Sequence, residues 1–297
     1  MSGKAAIINK DSSVKKRSQL ASIWRRFCKN RLAMVGLVIF IFLVFMALTA
    51  NVFYDYDKQA LGQNMKERFL GFSLEHPFGT DQFGRDIFIR IVFGARISLL
   101  VALSTAGIGL VFGTVIGAVA GYYGGKIDNT LMRFMDVFLA IPSMLLAICI
   151  VAALGGGLVN LILANSISQI PRYSRIIRSN ILTIKNSEFV EAAKACGAGD
   201  MKVILRHIVP NAMGPLIVQA TLTMALAILS VASLSFVGLG IDPPTPEWGS
   251  MLSTGKEFIR QYPHLIVMPG LAIMCAVLSF NLIGDGLRDA LDPRLKN

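Results

Sequence analysis

The feature that most restricts this chain is a series of apolar runs separated by short polar segments. The runs lie at 32–50, 97–122, 134–154, 158–170, 212–237 and 265–283. A helix needs about 20 mainly apolar residues to cross a bilayer, and most of these runs meet that length. Only 16% of the 297 residues are charged, against about 25% in an ordinary soluble domain, and the mean hydropathy is +0.60. The expected class is therefore an all-α integral membrane protein with six transmembrane helices.

Charge placement orients the spans. Residues 1–31 hold nine of the 29 basic residues against Asp11 alone, whereas 52–96 carry six basic and six acidic side chains. The segment 171–211 is again basic, seven to three, and 238–263 is not, two to three. Cytoplasmic loops concentrate Lys and Arg, so both termini and the 171–211 segment are expected in the cytoplasm. The same asymmetry assigns the net charge of +11 to the membrane surface and not to nucleic acid. The run 32–50 is too long for a signal-peptide core and lacks a small-x-small exit, so it is read as a retained span. Residues 22–31, SIWRRFCKNR, fit an interfacial helix or simply the positive flank of that span. The implied division is a basic N-terminal segment 1–31, a first helix and outer loop 32–96, a five-helix core 97–286 and a tail 287–297.

Chemistry of catalysis is not evident. Gly125-Lys126 and Gly255-Lys256 lack the context of a phosphate-binding loop, and Cys28, Cys149, Cys196 and Cys275 are scattered. His76, Asp81 and Asp86 fit no ligand spacing and are assigned to turns and hydrogen bonds. Gly109, Gly113, Gly117 and Gly121, four residues apart, lie on one helix face and should admit a close neighbour. In the fourth run Asn165, Ser168 and Gln169, and in the fifth Gln219 and Thr223, are polar positions that either line a pathway or bond between helices.

The most informative polar stretch is 187–210, SEFVEAAKACGAGDMKVILRHIVP. Asn186 or Ser187 can cap a helix whose first turns hold Glu188 and Glu191, where the dipole favours anions. Ala192, Ala193 and Ala195 form helix well, Gly197 suits a left-handed end, and Asp200 can cap a second helix over 201–208; Pro210 either stops that helix or starts the next span. Small residues on a short exposed helix suit docking into a groove on another protein.

Here the chain resembles a family. Glu191, Ala192, Ala193, Gly197 and Pro210 match the EAA loop of ABC-importer permeases, with HIVP where that motif usually closes on I-x-L-P. HPFGTDQFGRDIFIRIVFGARISL, DPPTPEWGSML and FNLIGDGLRDALDPRLK are similar to segments of the dipeptide, oligopeptide and nickel permeases, of their second subunit in particular. The resemblance implies a type I importer fold, a non-catalytic subunit, and transport of peptides, or otherwise of nickel or another small chelate or peptide-like ligand. Implied partners are a homologous second permease, two ATPase subunits that carry ATP and Mg, and an extracytoplasmic substrate-binding protein. This chain would bind no cofactor and sit in a bacterial or archaeal cytoplasmic membrane. Glu191 is expected to pair with a basic residue of the ATPase, Ala192 and Ala193 to pack in its groove, and Gly197 and Asp200 to shape the turn. A channel or secondary transporter is the alternative class; it would be expected to show paired half-structures or charged spans.

Overall fold

A computed structural model describes residues 19–291. Within them every regular element is helical: α1 (Gln19–Lys29), α2 (Arg31–Phe53), α3 (Ile87–Tyr123), α4 (Gly125–Leu139), α5 (Ser143–Leu154), α6 (Leu158–Ile184), α7 (Glu188–Ala195), α8 (Asp200–Val203), α9 (Val209–Phe236), α10 (Trp248–Gly255) and α11 (His264–Leu291). Starts are fixed by side chains where the sequence offers an oxygen. Asn30 accepts from the amides of Leu32 and Ala33 to begin α2, and Asp86 accepts from Ile89 N at 3.0 Å to begin α3.

Among the described residues four helices are long and apolar enough to cross a membrane: Arg31–Phe53, Ile87–Tyr123, Asp200–Phe236 and His264–Leu291. Three sequence expectations are corrected. The second span begins ten residues before position 97, because the Asp86 cap and the buried run from Ile87 to Ala95 carry the helix outward. The third is not one rod: α4 and α5 meet at 85° around Pro142, and α5, 12 residues or about 18 Å, is shorter than the roughly 30 Å hydrocarbon layer. The fourth does not stop at Pro171, which lies inside α6. One lost N–H is tolerated in a membrane helix whose neighbours hold the remaining backbone.

The largest helix contact is the one the glycine spacing pointed to. A Cβ on Gly113 would stand 2.3 Å from Tyr173 Cβ, and one on Gly117 would stand 2.2 Å from both Ser174 O and Ile177 Cγ2; Gly121 abuts Ile181. Positions rise together along both helices, so α3 and α6 run parallel. A parallel pair requires the chain to return between them, and α4 with α5 makes that return. By the same reasoning α2 and α11 are antiparallel, since Gly36 meets Leu282 while Ala33 meets Gly286.

At the opposite end from Tyr123, the outer loop and the segment before α10 form one clamp. Trp248 is fully buried against Gly94 and donates from its indole N–H to Ile91 O at 3.0 Å. Arg90 donates to Ala60 O at 2.8 Å and to Pro244 O at 3.2 Å. His76 pairs with Asp86 at 2.8 Å, and Asp81 accepts from Phe83 N, Arg85 N and the Arg85 guanidinium, as expected of turn-forming residues. Glu247 is buried and accepts from Gly249 N and Ser250 N, both at 2.7 Å, and from Ser235 at 3.1 Å. Burial pushes its carboxyl above the usual range, and those donors act in the other direction.

Three stability measurements follow. Gly117→Val in the detergent-solubilised protein is expected to lose about 3 kcal/mol or more, because backbone, not a movable tip, occupies the new volume. Gly107→Ala, with open space around it, should change stability by less than about 1 kcal/mol. Glu247→Ala should cost about 2–4 kcal/mol by stripping two buried amides of their acceptor, read as a lowered denaturation midpoint.

Candidate functional site: the loop between α6 and α9

The loop is seated on the α3–α6 pair by apolar side chains that alternate with exposed polar ones. Val190 on α7, Val203 on α8, and Ile204 and Ile208 beyond it are buried with Tyr173, Ile177 and Ile181 of α6. With Val190 and Ala193 turned inward, helical spacing leaves Glu188, Glu191, Ala192 and Ala195 facing out. Ala192 is exposed and Ala193 half-buried, so only the first presents itself to another molecule.

Gly197 closes α7 as its sequence position suggested. Its φ is +79°, and the amides of Gly197 and Ala198 return to Lys194 O (2.9 Å) and Ala193 O (3.1 Å), the double bond of a Schellman end. Asp200 is not a cap. Gly199 precedes α8, and the Asp200 carboxylate instead accepts from Tyr122 Oη at 2.5 Å. Lys194 lies 5.1 Å from the centre of the same ring, so the end of α3 is tied to both loop helices. Pro210 stands in the first turn of α9 and so starts the next span, the second of the two roles its position allowed. One α turn, 200–203, passes through a π turn, Ile204–Ile208, directly into α9, giving a continuous helix Asp200–Phe236.

Among the described residues Glu191 neither caps its own helix nor forms an ion pair. Ser187 N bonds to Ile184 O, and among the described residues the Glu191 carboxylate has no hydrogen-bond or ion-pair partner. It stands exposed in the first turns of α7, able to accept from a cation outside this chain. Sequence reasoning expected a small, smooth docking surface and missed three large apolar side chains on it: Phe189, Met201 and Leu205 are 43%, 66% and 62% exposed. The four-residue step from Met201 to Leu205, outside the buried Val203–Ile204 pair, was the available signal.

The five polar span residues are placed differently from one another. Asn165 and Thr223 are buried inside the chain, so in this structure neither faces an open route. Ser168, Gln169 and Gln219 are half-buried. Asn165 donates to Leu161 O at 2.9 Å, Ser168 to Asn165 O at 2.7 Å, and Gln219 to Thr223 Oγ1 at 3.3 Å, each bond within one helix.

Comparison with known proteins agrees with this geometry. A family model described as binding-protein-dependent transport system inner membrane component matches residues 113–297, and one for the N-terminal TM domain of oligopeptide transport permease C matches residues 18–71. The dipeptide transport system permease protein DppC of Alkalihalophilus pseudofirmus is 47% identical over 274 residues, covering 92% of this chain and 90% of that protein. The glutathione transport system permease protein GsiD of Escherichia coli is 44% identical over 282 residues, covering 94% and 92%. Among solved structures, the MetNI methionine ABC transporter in inward-facing conformations shares the fold, with TM-score 0.56 and 20% identity over 68% of this chain and 96% of that one. An amino acid ABC transporter does so at TM-score 0.52 and 14% identity, over 67% and 92%. The chain therefore belongs to the binding-protein-dependent transport system inner membrane components, multi-pass permease subunits of ABC importers.

Proposed function

We propose that this permease imports peptides, pairing with a second, homologous permease to enclose the route and drawing its energy from two ATPase subunits that bind ATP and Mg. In this reading α2, α3, the α4–α5 pair, α6, α9 and α11 are the six crossings, and both termini lie in the cytoplasm. A substrate-binding protein delivers cargo on the opposite side, where the Trp248 clamp gives a firm surface. The relatives named for dipeptide and glutathione transport support small peptides or peptide-like molecules as cargo.

The observation that carries the reading is the exposed face of α7. A carboxylate without a partner, a small residue beside it and a fixed helix end form a short docking element on a buried footing. Glu191 offers a charge contact to the ATPase, Ala192 allows close approach, and Ala193 and Gly197 hold the face in place. Asp200 acts from behind through Tyr122. Phe189, Met201 and Leu205 supply the apolar area such a contact requires. Of the span residues, Ser168, Gln169 and Gln219 remain reachable by cargo, with Asn165 and Thr223 supporting them from within.

In vesicles carrying the assembled transporter, Glu191→Lys is expected to leave membrane insertion intact and to lower peptide-driven ATP hydrolysis and uptake together by tenfold or more. Gly197→Asp should do the same, and Gly197→Val should also cost about 1 kcal/mol of stability at its positive φ. Unchanged uptake in both loop variants would remove α7 from the energy path. Cargo is tested separately with labelled dipeptide and nickel chelate in cells lacking the native system: dipeptide uptake restored by this operon supports the reading, and nickel uptake alone overturns it.

A further inference from the structure

At the loop end of the bundle, α1, the ends of α6 and α11 and the start of α9 enclose an open cleft of about 890 Å³. Its polar lining includes Arg26, Arg288, Asn180, Thr183 and Asn211. Among the described residues neither arginine has a carboxylate partner; the nearby Asp289 is turned to the Asn30 amide at 3.1 Å. A second, smaller cleft along α1 is lined by Arg25, Arg26 and Lys29, so Arg26 borders two cationic recesses.

The opposite wall is apolar and does not stop at the cleft. Pro215 and Val218 line it, and the same face of α9 continues at helical spacing through Leu222, Leu226 and Leu229, all exposed. On α11 the exposed Asp285 lies about one turn from Arg288, and beyond it Leu278, Met274 and Leu271 are exposed in turn. A fixed pair of cations at the mouth of an apolar furrow fits an amphiphile with an anionic head. α1 itself docks on α11 through Ile23 and Phe27 while Trp24 stays exposed, the arrangement of a helix lying in the headgroup layer.

We propose that this cleft binds an anionic phospholipid, its phosphate held by Arg26 and Arg288 and its acyl chains along the exposed face of α11. Basic recesses between helices at a membrane face commonly take such headgroups. Charge argues against the chain's own outlying segments as the occupant: residues 1–18 carry five basic side chains and one acidic, and 292–297 two and one. The proposal rests on the reading that this end of the bundle meets the membrane surface. It does not depend on what cargo is carried or on how the ATPase docks.

The test is native mass spectrometry and lipid titration of the full chain with its partner subunits, in discs of phosphatidylcholine doped with phosphatidylglycerol. The wild type should retain phosphatidylglycerol over phosphatidylcholine. Arg26→Gln with Arg288→Gln should weaken that retention by about tenfold or more, while the double Lys variant keeps it and confirms folding. Lys202→Gln with Arg133→Gln, an equal charge loss elsewhere on the molecule, should leave it unchanged. Undiminished retention in the double Gln variant overturns the proposal, as does equal loss in the control pair. Protection of the cleft by a partner subunit with no lipid retained, or saturation by inorganic phosphate alone, overturns it too. Transport activity is not read, so failure here is distinct from failure of the peptide assignment.

Discussion

The contact on which the remaining structure depends is the close approach of α3 and α6. Four glycines at four-residue spacing remove every side chain from one face of α3, and Tyr173, Ser174, Ile177 and Ile181 of α6 fill the groove. In a bilayer helices gain little from hiding apolar surface, so close packing must supply the attraction. That contact sets the parallel pairing of two helices, and the parallel pairing dictates the reversed α4–α5 return. It also creates the floor on which the loop sits: Val190, Val203 and Ile208 pack on the same Tyr173–Ile181 stretch. The exposed face of α7 is therefore oriented by residues that never reach the surface.

Segments far apart in sequence converge at the other end. The Gly-rich outer loop and the stretch around Trp248 resemble permeases of one group separately, yet in space they are a single unit closed by Trp248, Arg90 and Glu247. The third such segment, near the end of the chain, serves the opposite face. Gly286 there lets α11 meet Ala33 and Phe27, which seats α1.

Much of this was legible in the chain. Apolar run length located the long helices, the glycine interval announced a close contact, and Gly197 was identifiable as a left-handed end. The departures share a cause: a membrane environment relaxes the rules for breakers. Pro171 and Pro215 would break a helix in water; here tertiary packing carries α6 and α9 through them. Pro142, itself the N-cap residue of α5 in an extended conformation, does turn the chain, and nothing local distinguishes it from the other two. Asp200 was read as a cap because its spacing is right. Tyr122, 78 positions away, outcompetes that role, and such a distant partner leaves no mark in the local sequence. The exposed Met201 and Leu205 were overlooked because small residues dominate the motif beside them.

If α7 receives force, the geometry constrains where it can go. The loop has two attachments of different kinds. α8 runs without a break into α9, so displacement at Asp200 is displacement of a 37-residue helix. α7 joins α8 through the turn at Gly197, and burial of Val190 fixes it to Val203, Ile204 and Ile208 as well as to α6. α6 in turn holds α4 through Arg178–Asp128, bidentate at 2.5 and 2.6 Å, and Arg175–Asp136 at 2.5 Å. The bend at Pro142 is thereby held on its α4 side by ion pairs and on its α5 side by Ala147 and Val151, buried against Leu161 and Ala164 of α6. A push on the loop would move α3, α4, α6 and the lower part of α9 as one body. The compliant points left to it are the α4–α5 corner, the π turn at 204–208 and Pro215 in α9, all close to the loop end of the bundle. The Trp248 clamp at the far end contains no comparable break, so it would act as the fixed end against which that body tilts.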